Sequence, residues 1–255
     1  MPRHNIRCFP HSLLFLYKQP FPYLANCPSF AKIKNQTERS ENGGTMRKHE
    51  QKKAELTKGE QTRETIIARA APLFNRQGYY AASMADIMAA TGLQKGGIYN
   101  HFANKDELAL AAFEYNWQQI RKQVLRAMQA AGASPLAQLS AALQVYHQAG
   151  AGTLPPGGCP VLNTAIETDD GHPLLRERVQ QALDEWRALW RQTLAAGIAQ
   201  GEFQPDLQLD EVTTVLISAL EGGVMLSQLY KDPVHLQRVV RHLQMYLQTL
   251  QRTST

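Results

Sequence analysis

An all-α fold is what this sequence predicts, and three observations predict it. Apolar residues recur at spacings of three and four along nearly the whole chain from about Gly59 onward. Neither an alternating strand pattern nor an internal repeat competes with that period. The gaps between periodic stretches hold the residues that start and stop helices: Gly78, Ser83, Thr91-Gly92, Asn104, Pro135 and Gly201.

Residues 1–45 come first and read differently, with four prolines after Pro2, scattered aromatics and no sustained period, which predicts an unstructured leader. Gly43-Gly44 ahead of Met46 could be encoded by a ribosome-binding sequence, so the expectation is a leader that is untranslated and a cellular protein that begins at Met46. Ile66, Ile67, Ala70, Leu73 and Phe74 then stripe a first helix that Gly78 ends. Ser83 followed three residues later by Asp86 resembles a capping box, and Ile87 and Met88 give a short second helix its inner face. Thr91-Gly92 breaks it, and a third short helix runs from about Lys95 to Phe102. Asn104 caps a long fourth helix, on which Phe113, Trp117, Ile120, Val124 and Met128 share one face.

Pro135 opens a fifth helix to about Gln148. Residues 150–173 hold five glycines and four prolines, which predicts a loop with a short helix inside it. Leu175 to Ile198 mark a long helix closed by Gly201, Val212 to Leu226 another, and Leu236 to Leu250 the last. The domain reading is a front unit over 60–120 and a larger helical unit over 121–252.

At 255 residues and 44% apolar content the chain has ample material for a core. Its formal charge of +5 is uneven: +4 over 1–45, +5 over 46–105 and −4 over 106–255. A basic front and an acidic body suit a front that meets a polyanion, although a solvated charged surface would look the same. Only Cys159 of the three cysteines lies outside the leader, so neither an internal disulfide nor a multi-thiolate zinc site is available, and a reducing cytoplasmic setting is expected. No run of 18 apolar residues predicts a membrane span, and "SLLFLY" at 12–17 is short and proline-flanked for an export signal.

The sequence contains no P-loop, dinucleotide glycine pattern or zinc-type histidine pair, so no metal or cofactor is expected. An enzyme would have to use Cys159 with His147 or His172, and no catalytic signature surrounds them. No catalytic residue is assigned.

Function is most legible in "TGLQKGGIYNHFANKDEL", residues 91–108. Short helix, break, short helix over 83–102 is the spacing of a helix-turn-helix, whose second member enters the DNA major groove. Glycine inside a helix costs about 1 kcal/mol relative to alanine, so adjacent Gly96 and Gly97 imply a close approach of backbone to something, here the sugar-phosphate edge. Lys95 stands where it can reach a guanine or phosphate. Tyr99 and Asn100 follow on the exposed side, Ile98 and Phe102 turn inward, His101 faces the DNA backbone, and Lys105 is a candidate phosphate clamp. Ser83 and Met84 complete the candidate DNA-facing set. Singly, Tyr99 could be a half-buried aromatic, His101 a capping histidine and Lys105 a plain surface charge.

Residues 63–113, with inward Phe74, the Gly78 turn, the Asp86-Ile87 pair and the terminal Tyr99, His101, Phe102, Lys105 and Leu108, resemble the TetR family of bacterial transcription regulators. Gln94 and Gly97 depart from it, standing where Ser and where Thr or Ser are frequent. The resemblance implies a homodimer whose recognition helices meet successive major grooves about 34 to 36 Å apart. It also implies a four-helix interface built from the last two helices of each copy. Candidate interface residues are Val215, Gly222, Gly223, Leu226, Leu236, Val240, Leu243 and Leu247, whose other reading is internal core.

The resemblance further implies a pocket for a small-molecule effector, whose binding moves the fourth helix. Trp117, Tyr146, Trp186 and Trp190 are candidate walls or plain core, with Asn163 and His147 as candidate polar groups, and Glu221 is a further candidate for the lining. Cys159 precedes Pro160, which makes it an N-cap residue whose thiol pKa the helix dipole lowers, as in a redox or electrophile sensor. A small buried hydrophobe is the other reading. The expected function is a ligand-responsive repressor on a palindromic operator, released by a small-molecule or thiol-reactive effector, with a cavity beside Trp117 and Trp190. A DNA-binding protein that senses nothing would have a filled body.

Overall fold

The computed structural model describes residues 57–148, 155–168 and 170–252, all in the unit that spans Ala54–Thr255. The leader over 1–45 and the start at Met46 lie outside the described residues. Nine helices are found among those residues: α1 (Lys58–Gln77), α2 (Met84–Thr91), α3 (Lys95–Tyr99), α4 (Lys105–Ala130), α5 (Pro135–His147), α6 (Pro160–Thr168), α7 (Pro173–Ala199), α8 (Leu209–Tyr230) and α9 (Val234–Thr249). Their only strand-like pairing is an isolated antiparallel bridge between Phe203 and Gln251.

Side-chain caps set the helix starts. Ser83 and Asp86 form the reciprocal box the sequence predicts. The Asn104 side chain accepts the Glu107 N–H at 2.9 Å to open α4, and Ser134 caps α5 ahead of Pro135. α1 begins slightly earlier than its apolar stripe suggests, because Thr57 and Glu60 form a second box: the Thr57 hydroxyl accepts the Glu60 N–H and the Glu60 carboxylate accepts the Thr57 N–H at 2.8 Å. α3 stops at Tyr99, three residues short of the expected end.

Two apolar cores result. The first joins Ile66, Ala70 and Phe74 of α1 to Ile87, Ile98, Phe102, Leu108 and Ala112, with Leu175 of α7. The second joins Phe113 to Met128 of α4 to Leu143, Tyr146, Trp186, Trp190, Leu216, Leu220 and the inner face of α9. Helix α4, about 39 Å long at 1.5 Å per residue, supplies side chains to both and so couples them rigidly.

The expected interface set divides on burial. Leu236, Val240, Leu243 and Leu247 are buried in the chain's own core, as is Gly223. A Cβ on Gly223 would stand 3.0 Å from Leu236 and 3.2 Å from Val239, so its close approach is between α8 and α9 of one copy. Those five are corrected to internal packing, because period shows that a helix has an apolar face but not which neighbour covers it. Val215 remains exposed, Gly222 and Leu226 partly so, and Met225, Leu229, Tyr230 and Met245 extend the open apolar face.

With a mean hydropathy of 1.4 over 18 residues, α8 meets the length and apolarity of a membrane span, which counting unbroken apolar runs does not reveal. In this fold it packs against α7 and α9.

Candidate functional site

The helix-turn-helix is α2, the turn at Gly92 and α3. Gly92 adopts a left-handed conformation with φ +72°, and its N–H closes α2 onto Met88. The Thr91 hydroxyl donates to the Ile87 carbonyl at 2.7 Å, and the Arg69 guanidinium donates to the Thr91 carbonyl at 2.7 Å. Ile98 and Phe102 turn inward as expected, each 1% exposed. Arg63 lies 4.5 Å over the Phe102 ring and pairs with Glu107 at 3.0 Å. The Ala103 N–H, assisted by Arg63, holds the Glu107 carboxyl below its ordinary range. The angle at which α3 leaves the head is therefore pinned on several sides.

On its outer side α3 leaves Lys95, Gly96, Tyr99 and Asn100 exposed, with Gly97 and His101 half-buried. Lys95 Nζ lies 5.8 Å from the Tyr99 ring centre. Gly96 is in the first turn of α3, where a Cβ would meet nothing within 4 Å, and one on Gly97 would make only an ordinary 3.8 Å contact with Leu93. Neither glycine is required by crowding inside the chain. The result is a strip of bare backbone on an otherwise side-chain-rich surface.

Three other candidates are engaged within the head. The Ser83 hydroxyl is held in its cap with Asp86, and Met84 packs half-buried against the first core. Lys105 places its ammonium 4.5 Å over the Tyr79 ring instead of projecting freely. The Tyr79 hydroxyl donates to Asp106, and burial, then that bond, pushes the Tyr79 pKa up to about 12. The same bond lowers the pKa of Asp106. His172, the N-cap of α7, sits edge-on to Tyr79 at 4.5 Å with Nε2 3.6 Å from Asp106.

A clasp that sequence reasoning missed grips the foot of α1. The Asn75 amide donates to the carbonyls of Pro156 and Gly158, both at 3.0 Å. The Asn163 amide donates to the Asn75 carbonyl at 3.0 Å and the Gly157 carbonyl at 2.9 Å. Glu167 accepts the N–H groups of Tyr79 at 2.7 Å and Tyr80 at 2.8 Å. Asn163, expected as a ligand-facing amide, thus also ties α6 to α1. A cavity of about 30 Å³ lies beside it, lined by Phe74, Asn116, Asn163 and Glu167 among others, with room for a water-sized guest. No sequence signal points to the clasp, since its partners are over 80 residues apart.

In the body, Trp117, Tyr146, Trp186 and Trp190 are all buried. Tyr146 stacks on Trp186 at 5.7 Å and 10°, Trp117 lies 6.1 Å from Trp186, and Trp190 meets Trp186 edge-on at 6.3 Å. Cys159 occupies the position before Pro160, where the N–H groups of Val161 and Leu162 act to lower its pKa, as its place in the sequence predicts. Burial, followed by the adjacent Glu221 carboxyl, outweighs them and drives the thiol well above its ordinary value. The expected acidic thiol is corrected to one held in its protonated form, first because the core buries it and then because α8 brings it the Glu221 carboxyl, neither of which local sequence shows.

Glu221 itself has both carboxylate oxygens buried, and no hydrogen bond of ordinary geometry reaches either, despite the nearby thiol. Burial pushes its carboxyl up to about 7. Trp190 Nε1 and Thr213 Oγ1 are likewise buried without a partner. Among the described residues, no group of three or more His, Cys, Asp or Glu is arranged to hold a metal ion.

Residues 66–112 match the bacterial regulatory proteins of the tetR family, and residues 135–243 match the tetracyclin repressor-like C-terminal domain. A TetR transcriptional regulator from Chloroflexus aurantiacus superimposes with a TM-score of 0.74 at 42% identity, covering 78% of this chain and all of that one. The HTH-type transcriptional regulator LmrA of Bacillus subtilis is 29% identical over 180 residues, 70% of this chain and 92% of its own. The HTH-type transcriptional repressor DhaR of a Mycobacterium species is 23% identical over 163 residues, 64% of this chain and 80% of its own. A reading head built around a pinned turn, joined by one long helix to a helical body that matches over most of its length, is what these proteins share: the chain belongs to the TetR family of DNA-binding helix-turn-helix transcriptional regulators.

Proposed function

We propose that the chain is a homodimeric repressor that reads a palindromic operator and is released by a small-molecule effector. The bare backbone at Gly96 and Gly97 carries this reading. A helix designed only for stability would put alanine at Gly96, where space is free, so the missing side chain serves a surface outside the chain. Flanked by Lys95, Tyr99, Asn100 and His101, that strip suits a phosphate edge with base contacts beside it. Ser83 and Met84 hold α2 against the same groove, and Lys105, stacked on Tyr79, stands at its margin.

The head over 60–120 is the DNA-binding domain and 121–252 the effector and dimer domain. Two copies joined through Val215, Gly222 and Leu226, with Met225, Leu229 and Met245 beside them, would bury an apolar face that α8 and α9 leave open. Such a dimer lying across a promoter blocks polymerase without further chemistry, and its place is the cytoplasm. A binding selection from random duplexes at several salt concentrations tests the reading. The expected result is a two-fold symmetric site whose affinity falls as salt rises, through counterion release. A monomer that ignores every duplex at low salt would overturn it.

A further inference from the structure

The start of α7 belongs to the body, yet its N-cap stands among side chains of the head. Tyr79 and Tyr80, in the turn after α1, close on it together: the Tyr79 ring lies edge-on to His172 at 4.5 Å, and a Cβ on Gly171 would stand 2.3 Å from the Tyr80 hydroxyl. His172 is only 8% exposed, and each ring nitrogen faces a different group. Nδ1 accepts the Leu175 N–H at 3.3 Å and so caps α7. A neutral imidazole carries one ring proton, so an accepting Nδ1 leaves that proton on Nε2, which faces Asp106 at 3.6 Å. Asp106 also accepts the Tyr79 hydroxyl, and the Tyr79 ring carries the Lys105 ammonium at 4.5 Å. A chain of four side chains thus runs from the body to the lysine read above as standing at the margin of the groove.

We propose that His172 is a positioning residue for DNA binding: it engages Asp106 beside Tyr79, so that the Lys105 ammonium stays fixed over the Tyr79 ring and ready for a phosphate. The inference rests on the DNA-reading function proposed above and adds a residue of the body to it. A lysine side chain has many rotamers, and holding one of them beforehand removes an ordering cost otherwise met when the duplex arrives. The ring takes one side of the ammonium and leaves N–H groups on the other side for an anion. Asp106 competes for the same ammonium, since the neighbouring Lys105 acts on its carboxylate. An Nε2–H aimed at that carboxylate, added to the Tyr79 hydroxyl, occupies it and leaves Lys105 to the ring. A residue serving only as a helix cap would need Nδ1 alone.

Two variants of the full chain separate the two nitrogens. His172→Asn keeps an acceptor where Nδ1 stands and still caps α7, but ends short of Asp106; His172→Gln carries an amide donor to where Nε2 stands and gives up the cap. Fluorescence anisotropy measures affinity for a random-sequence duplex at low salt and for a duplex recovered by the selection above, and urea unfolding measures stability. The Asn variant should unfold like the wild type yet bind about threefold to tenfold more weakly, the cost of ordering one unrestrained side chain. The Gln variant should unfold more easily yet bind like the wild type. In a Lys105→Ala background the His, Asn and Gln forms should bind alike. The proposal is overturned if Asn binds as tightly as His, if Gln weakens binding as much as Asn, or if the differences survive Lys105→Ala. Circular dichroism checks that each variant is folded, and the Asn form with and without Lys105→Ala decides the matter should Gln not fold. A wild type that ignores every duplex would overturn the DNA-reading function and this inference with it, whereas duplex binding that is indifferent to residue 172 would overturn the positioning role alone.

Discussion

The head and the body of this chain treat buried polar groups in opposite ways. In the head, Thr91 donates to Ile87, Asn75 to the loop carbonyls and Asn116 to the Ala71 carbonyl at 2.9 Å, so each buried polar side chain there is answered. In the body, Trp190, Thr213 and Glu221 all bury polar atoms that nothing answers. A satisfied core holds one geometry, which suits a reading surface that must present the same face each time. An unsatisfied one has free energy to gain from any group that supplies the complementary donors and acceptors, which fits the proposal that the body responds to an effector.

Substitutions can break or sharpen that contrast. The largest effect is expected from Phe102→Ala, which empties a 1% exposed site in the head and removes the ring under Arg63. It should cost about 3 to 5 kcal/mol in urea unfolding and abolish duplex binding. An unchanged midpoint would show that the head is looser than described.

Glu221→Gln should act in the opposite direction, and its effect depends on pH. The Glu221 carboxyl sits at about 7 when folded against 4.5 ordinarily, so its contribution to stability is complete below pH 4.5 and lost as pH rises through about 7. The wild type should therefore fall relative to the variant by about 3 kcal/mol between pH 4.5 and 8, while the two run parallel below that window. Parallel curves across the whole range would mean that the carboxyl has a partner after all.

Asn116→Ala removes the bond that ties α4 to the Ala71 carbonyl of α1 and should cost about 1 kcal/mol. A neutral result there would remove the claim that the head depends on its satisfied polar groups. Smallest in stability and most specific in function is Gly96→Ala, expected to raise stability by about 0.5 to 1 kcal/mol while weakening operator affinity. Improved stability with undiminished binding would remove the argument that the glycine serves a duplex.

Much of the head was legible because its grammar is local. Ser83 with Asp86, Gly92 and Asn104 announce helix ends within three or four residues, and Ile98 and Phe102 announce the inner face. The Thr57–Glu60 box is equally local and lies just ahead of the apolar stripe of α1. The body was less legible for a different physical reason. Glu221 stands out within the apolar Val212–Leu226 stretch as a candidate for the lining, but nothing near it in sequence shows the Tyr146 phenol and Cys159 thiol that the fold brings to it. The dipole acting on Cys159 is written in Pro160, while what defeats it is burial in the assembled core, followed by the carboxyl of Glu221, 62 positions away. For Leu236 to Leu247, period gave the face but not the neighbour.

Gly157 has a φ of +104°, and a Cβ there would stand 2.6 Å from the Asn75 carbonyl oxygen. The loop and the end of α1 are thus in backbone contact, with no side chain between them to bend or rotate. A linkage without cushioning transmits small displacements undiminished. Shifts of a few tenths of an ångström beside Cys159 would arrive at the end of α1 nearly whole, so any coupling between the body and the head would depend on how stiffly two residues of loop resist bending.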